Sequence, residues 1–461
     1  MTHPPGPGPA TGPTTVPTPA IAGTPTTTWR NWGRTERAEG ITVVRPRDLE
    51  ELAALLGDGT GRPVRPLASG HSFSGIGTPE DIALDLTAFS GLSGPDDVAV
   101  DASRGRVRLG AATPLWQIPR LLAPFGLAMR NLGDIDRQTI AGALATGTHG
   151  TGAAFGGLPT QLVGATLVSG DGQVLTVDED TEPELLPFIR VGLGALGVLT
   201  EVTLQCVPAF VLRAEEAMRS LADVDAGWDA LFDEPDHAEF HWFPGSGRVV
   251  TKTNTRLPGD SLLVPRSRLG RWVGEELLAN TVFGGLCEVS RHVPWTVPTI
   301  NRIATAAMGR GTFTEPSARV FAAPRRVRFR EMEYAVPRAA MQEAFGRIRR
   351  LADAWPEPIE FPVEVRVAAA DDVALSPGSG QDIGYIAVHR HVRRPHERYF
   401  AAAERIFADY GGRPHWGKVH GLDADRLGAL YPRFGEALAV RDRLDPERRF
   451  ANPYLRRVLG P

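Results

Sequence analysis

Two hydrophobic periodicities alternate along the chain in short blocks. Residues 41–44 (Ile-Thr-Val-Val) read as a strand. Residues 47–57 then place Leu49, Leu52, Ala53 and Leu56 on one helical face, with Gly57 suited to end it. Residues 64–67 predict a second strand that runs into the loop Ala68-Ser-Gly-His-Ser-Phe-Ser-Gly75, and residues 82–86 a third. Residues 98–101 and 106–109 flank Ser103-Arg-Gly105, a hairpin signal. Thr113-Pro114 reads as a cap with Pro at the first helical position, opening a helix toward Leu122. In residues 198–207 strict alternation puts Val198, Thr200, Val202, Leu204 and Cys206 on one face, so Cys206 is expected in the core. Pro208 marks a boundary. Beyond it, residues 240–243, 249–253, 329–336 and 363–369 suggest an antiparallel sheet, with a helix over 338–354. Residues 1–28 are nearly all Pro, Thr, Gly and Ala without periodicity, which predicts a flexible tail and a fold beginning near Trp29. The expected units are therefore 1–28 (tail), 29–207, 208–410 and a C-terminal segment 411–461.

Composition narrows the class. A chain of 461 residues with 42% hydrophobic content can bury a sizeable core, and 51 Gly with 39 Pro point to many turns rather than a helical bundle. The net charge of −4 gives no basic stripe for nucleic acid. Two cysteines, Cys206 and Cys287, build neither a disulfide framework nor a zinc ribbon. No apolar run approaches a membrane span, and the N-terminus lacks the basic and apolar regions of a signal peptide, so a cytoplasmic location is expected.

Two familiar motifs fail on context. Gly192-Leu-Gly-Ala-Leu-Gly197 matches GxGxxG, with Glu215 and Glu216 about twenty residues on, but a Rossmann turn needs a helix next and here a strand follows. Its glycines still permit close backbone approach to a ligand. Gly70-His-Ser-Phe-Ser74 nearly matches a nucleophile elbow, yet its fifth position is Ser and Gly75, Gly77 and Pro79 exclude a following helix. What remains is a Gly/Ser loop able to cradle phosphate oxygens. The stretch 131–152 is similarly rich in Thr and Gly and offers hydroxyl and N–H donors without basic charge. A diphosphate held by backbone and hydroxyls suits it better than a nucleic acid does.

Taken together and in order, Gly70-His71-Ser72, Thr139-Ile-Ala-Gly142, Gly147-Thr-His-Gly150 and Leu193-Gly-Ala-Leu-Gly-Val198 resemble the FAD-binding domain of the vanillyl-alcohol oxidase superfamily. Glu331-Met-Glu-Tyr334, Glu364-Val-Arg366, Arg413-Pro-His-Trp-Gly-Lys418, Leu444-Asp-Pro446 and Phe450-Ala-Asn452 resemble its sugar-1,4-lactone oxidase and alditol oxidase branch. The resemblance runs from Trp29 to the C-terminus. It implies an α+β, two-domain FAD-binding PCMH-type fold with an antiparallel-sheet substrate domain.

By that resemblance His71 would bond covalently to the flavin, with Leu67, Ala68, Ser69, Gly70 and Ser72 along the pyrophosphate. Thr139, Gly142, Thr146, Gly147, Thr148 and His149 would contact the rest of FAD, Val198 the adenine side through its backbone, and His415 the isoalloxazine. Glu364 and Arg366, one residue apart on a strand, share a face; on the residues alone a surface ion pair of little worth is an equal reading. The resemblance makes them, with Lys418 and His389, the substrate-site residues. Asp134 and His391 depart from the alditol oxidase pattern, where Ser and Thr stand, and should reshape the pocket. Residues 388–391 read equally as a solvated strand face. Gly133 falls where the family keeps a small residue beside the flavin, which implies access for dioxygen. The implied reaction is oxidation of a hydroxyl on a sugar 1,4-lactone by hydride transfer to FAD, with dioxygen as acceptor. The alternatives are a polyol substrate, an electron carrier such as a cytochrome or dye in place of oxygen, or a carbohydrate-binding protein without activity. No metal is expected.

Overall fold

The computed structural model describes residues 27–307, 311–323 and 326–461. Most of the expected tail thus lies outside the described residues. Thr27 and Thr28 already belong to a strand, Thr27–Arg30, which pairs antiparallel with Arg37–Val44, Thr27 opposite Ile41 and Arg30 opposite Arg37.

The first unit holds two sheets. Arg37–Val44, Ile82–Asp85 and Val64–Leu67 pair in parallel, with Thr27–Arg30 antiparallel on the edge. The helix Leu49–Leu56 connects two of the parallel strands. Asp48 caps it by accepting from the Glu51 N–H at 2.8 Å, and Gly57 closes it. Leu52, Leu55 and Leu56 pack from it onto Val64, Ile82 and Leu84. The second sheet is antiparallel: Val100–Asp101, Arg106–Gly110, Val198–Gln205, Leu162–Val168 and Val174–Asp178. Along Val198–Gln205 buried and half-buried residues alternate without exception. Cys206 is buried beyond its end, and burial pushes its thiol up to about 12, as befits a core residue.

Two expected boundaries move. Val98 sits in a short helical turn, Asp96–Ala99, so the hairpin strand begins only at Val100. The helix ending at Leu122 begins at Ile118, not after Thr113. The Thr113 hydroxyl donates back to the Gly110 carbonyl at 2.6 Å, and the N–H groups of Leu115 and Trp116 donate to Gln138 and Asp136. That turn is used to tie down the 136–139 loop.

The second unit is an eight-stranded antiparallel sheet. Its order is Gly311–Pro316, Phe210–Ser220, Arg248–Pro258, His237–Trp242, Val363–Ala368, Ile383–His391, Phe329–Pro337 and Arg413–Pro414. Helices Met341–Asp353 and Glu397–Ala408 pack together, and Phe345, Ile348, Phe400 and Phe407 bury into the core with Trp228 and Phe240. After Arg413–Pro414 the chain returns to the first unit. The Phe73 N–H donates to the Gly417 carbonyl, the Val64 N–H to that of Arg449, and the Asn452 amide reaches the carbonyls of Gly75, Ile76 and Thr78. Among the described residues no helix is long and apolar enough to cross a membrane.

Candidate active site

A trough runs through the first unit behind the strand Val64–Leu67. The loop 66–72 forms one wall, so Leu67, Ala68, Ser69, Gly70, His71 and Ser72 all line it. The opposite wall is the short helix Ile140–Ala145 with its cap Thr139, and Gly142 lets that helix close on Ala68, since a Cβ there would lie 2.9 Å from the Ala68 methyl. Thr146 completes this wall. The far end is formed by Gly192, Gly194 and Gly197, the glycines of the failed dinucleotide motif. Gly194 has φ +63°, a conformation only glycine adopts freely, and its carbonyl accepts from the Arg65 guanidinium at 2.8 Å. Arg65 also donates to the carbonyls of Leu193 and Phe450, with burial drawing it down to about 10. It is the one charged side chain among the described residues lining the trough.

A second cavity opens from the first, sharing His71, Ser72, Gln138 and Thr146 with it. Its floor is the large sheet. Antiparallel register sets Glu239 opposite Arg366, His241 opposite Glu364 and Glu331 opposite His389. Because alternate residues share a face, Glu331 pairs with Glu333 and Glu364 with Arg366 on the cavity side. Arg366 donates to Glu239 at 2.8 Å, contacts Glu364 directly and lies 3.6 Å from Asp134. Burial disfavours its charge, but Glu364, Glu239 and Asp134 outweigh burial and hold it firmly ionised. With Glu364 and Arg366 both buried, the surface-pair reading is excluded.

Lys418 reaches the floor from the returning C-terminal segment. Its ammonium is 2.5 Å from Glu331 and 4.0 Å from Glu333. Burial opposes its charge, yet the two carboxylates raise its pKa above the ordinary value. Burial likewise pushes Glu331 and Glu333 up, and Lys418 with His389 for the first, His149 with Lys418 for the second, bring both below the usual carboxylate range. His149 holds Glu333 at 3.3 Å and stacks on Tyr385, ring centroids 3.5 Å apart. His415 is driven down to about 3, chiefly by burial, and its Nδ1 accepts the Gly417 N–H, which leaves the proton on Nε2. His71, at the junction, stacks on Trp32. Burial, then Lys418 and Arg137, bring it down to about 4, so its imidazole is neutral.

This geometry meets an independent sequence comparison. The D-arabinono-1,4-lactone oxidase family matches residues 202–458, and the FAD binding domain matches residues 41–178. The L-gulono-1,4-lactone dehydrogenase of Mycobacterium tuberculosis is 40% identical over 438 residues, which cover 94% of this chain and 99% of that protein. The chain belongs to the D-arabinono-1,4-lactone oxidase family. The L-gulonolactone oxidase of Bos taurus is 29% identical, over 93% of this chain and 98% of the relative. A crystal structure of cholesterol oxidase from B. sterolicum superposes with a TM-score of 0.81 at 18% identity, covering 98% of this chain and all of that one, so the PCMH-type fold is shared.

FAD is the family's cofactor, and the trough fits it. Its walls are small and uncharged and offer backbone N–H groups with the hydroxyls of Ser69, Ser72, Thr139 and Thr146, donors suited to a diphosphate. Gly133, Asp134, Thr148, His149 and His415 line the second cavity, as do Glu364, Arg366, His389 and Lys418. Two expected site residues, Gly147 and His391, fall outside both cavities, and a third, Val198, turns its side chain into the core while its backbone runs between two trough residues, Gly197 and Leu199. His391 is absent from the pocket: its N–H donates to the buried Glu360 at 2.8 Å, and nothing along Ile383–His391 is solvated, since all nine residues are buried.

Sequence reasoning missed Glu239, His241, Glu331 and Glu333 as site residues. The signal was present in Glu331-Met-Glu333, two acids at strand spacing inside an otherwise apolar run.

Proposed function

We propose that this protein oxidises a secondary or primary hydroxyl of a sugar 1,4-lactone of the L-gulono or D-arabinono type. The observation that carries the reading is the junction at His71, where an uncharged trough suited to FAD meets a sheet face bearing Arg366, Glu364 and Lys418. When bound, FAD supplies the hydride acceptor. The chain's own residues bind and orient the substrate. Arg366 and Glu364 hydrogen-bond ring and chain hydroxyls, one as donor and the other as acceptor. Lys418 stays an ammonium beside Glu331, so it serves as a donor that stabilises negative charge growing on the reacting oxygen rather than as a base. His389, held through Nδ1 at 2.9 Å from the Pro362 carbonyl, borders the same space. His71 is the proposed attachment atom for FAD, its neutral imidazole retaining a nucleophilic lone pair.

Dioxygen is the proposed acceptor, supported by the absence of a side chain at Gly133. An electron carrier is the second reading, favoured by the name of the mycobacterial relative. Anaerobic mixing with a panel of sugar lactones and alditols, followed by oxygenated buffer, tests both. Flavin bleaching by lactones faster than by alditols is expected, then rapid return of colour. Faster bleaching by alditols would overturn the substrate class, and reoxidation no quicker than free flavin would overturn dioxygen.

A further inference from the structure

Eleven large apolar side chains are exposed among the described residues, and nine of them lie between Leu262 and Ile303. Leu262 is 83% exposed, Trp295 80%, Leu269 70% and Trp272 53%. The segment is a continuous helical run over 268–292, the turn Pro294–Thr296, and the helix Val297–Ala307. Its charge is as uneven as its polarity. Residues 262–330 contain eleven Arg and four Glu with no Lys or Asp, a net charge of +7 in a chain whose total is −4. One of those four acids, Glu315, is fully buried and offsets the charge of Arg271, its partner at 2.6 Å.

We infer that this helical face docks on an anionic lipid surface, lying in the headgroup layer without crossing it. Apolar and Trp side chains beside an excess of Arg are the combination that holds a helix at a membrane interface, with rings at headgroup level and guanidinium groups on phosphate. The charge complements an anionic bilayer, and the remainder of the molecule, at net −11, is repelled from one and so sets the orientation. A protein partner is disfavoured by shape. Protein hot spots sit in packed pockets, whereas Leu262, Leu269 and Trp295 are largely exposed and suit insertion into a fluid phase. The patch also reaches the catalytic cavity, because Val282 and Ile303 are both exposed and part of the cavity lining. Docking therefore brings the cavity rim to the lipid. The inference rests on surface observations and stands whichever sugar is the substrate.

The flavin-loaded full-length protein should sediment with phosphatidylcholine vesicles containing phosphatidylglycerol and not with phosphatidylcholine alone. High salt should weaken the binding, and Trp emission should move to the blue on binding. Trp272→Ser with Trp295→Ser should lower partitioning by about tenfold or more, with melting temperature and turnover in free solution unchanged. Arg268→Glu should weaken binding further at low salt. Absence of sedimentation with anionic vesicles overturns the inference, as does binding that survives the double substitution. Retention on immobilised polyglutamate without vesicle binding also overturns it, in favour of an acidic protein partner.

Discussion

The trough and the cavity are adjoining halves of one site built on opposite plans. In the trough the working groups are backbone amides, hydroxyls and glycines, and its single ion, Arg65, is spent on three carbonyls. In the cavity the working groups are charged side chains from three strands and two loops that neutralise one another. The first plan needs consecutive residues with little bulk. The second needs residues far apart in the chain, such as Asp134, Glu239 and Arg366, to arrive at one point. A backbone cradle tolerates loss of one donor, whereas a balanced ion cluster does not tolerate loss of one charge.

The sharpest test of that difference is Lys418→Met. Removing the ammonium leaves Glu331 and Glu333 facing each other in a partly closed space, at a cost of about 3 kcal/mol, the low end for a broken buried pair because the cavity is open. Flavin reduction by substrate should slow by about a hundredfold to a thousandfold, the range for loss of a charge-stabilising donor. The pH dependence of stability should change sign. In the native protein both carboxylates titrate below their ordinary range, so their contribution is complete above about pH 4.3 and is lost as pH falls through the lowered values. Without Lys418 burial prevails at Glu331, its folded pKa rises, and the variant should gain stability as pH falls from 7 toward 5. Melting curves across that range check it; parallel curves would show that the lysine does not balance the pair.

His71→Ala addresses the junction. Acid-precipitated native protein should stay yellow, and the variant should release its flavin while keeping the lactone binding face intact. A colourless precipitate from the native protein removes the covalent bond.

The contrast also explains what the sequence revealed. The trough was legible because Ala68 to Ser72 and the 139–146 stretch act as local runs, and even the rejected GxGxxG glycines proved to line it. In the cavity, Glu364 and Arg366 were legible as an i, i+2 pair, but their partners were not. Glu239 meets Arg366 only through strand register, and no local pattern encodes register between residues more than a hundred positions apart. His391 shows the converse error. The resemblance put it in the pocket beside His389, whereas His391 lies outside both cavities and its backbone N–H bonds the buried Glu360. The Thr113-Pro114 cap failed for a similar reason, its local chemistry overridden by bonds to the 136–139 loop.

Arg65→Met probes the trough at its one ion. The substitution keeps the length and removes the donors, leaving carbonyls of Leu193, Gly194 and Phe450 without their partner. A loss of about 1–3 kcal/mol is expected, the range for buried acceptors left unsatisfied. Melting temperature should fall and flavin content with it, yet the rate of flavin reduction in the loaded fraction should hold. A slower reduction rate would mean that the two halves of the site are not separable.

The smallest effect concerns Gly133, where the two plans touch. A Cβ at this position would lie 2.9 Å from the His149 carbonyl and 3.4 Å from the Thr148 methyl group. Glycine is therefore required for the 131–134 segment to pass against 148–150, independently of any path for oxygen. Gly133→Ala should cost about 1–3 kcal/mol, the usual penalty for overpacking, because the obstacle is backbone and cannot rotate away. His149 carries Glu333, so the shift should reach the substrate side as a modest rise in KM. Access for oxygen is a separate quantity, read from reoxidation of the reduced flavin in the same variant. If reoxidation slows several-fold while reduction by lactone changes little, Gly133 governs the oxygen path as well as the packing. If reduction and reoxidation slow together, the side chain acts through His149 alone, and the acceptor must be settled by comparing dioxygen with a dye in the native protein.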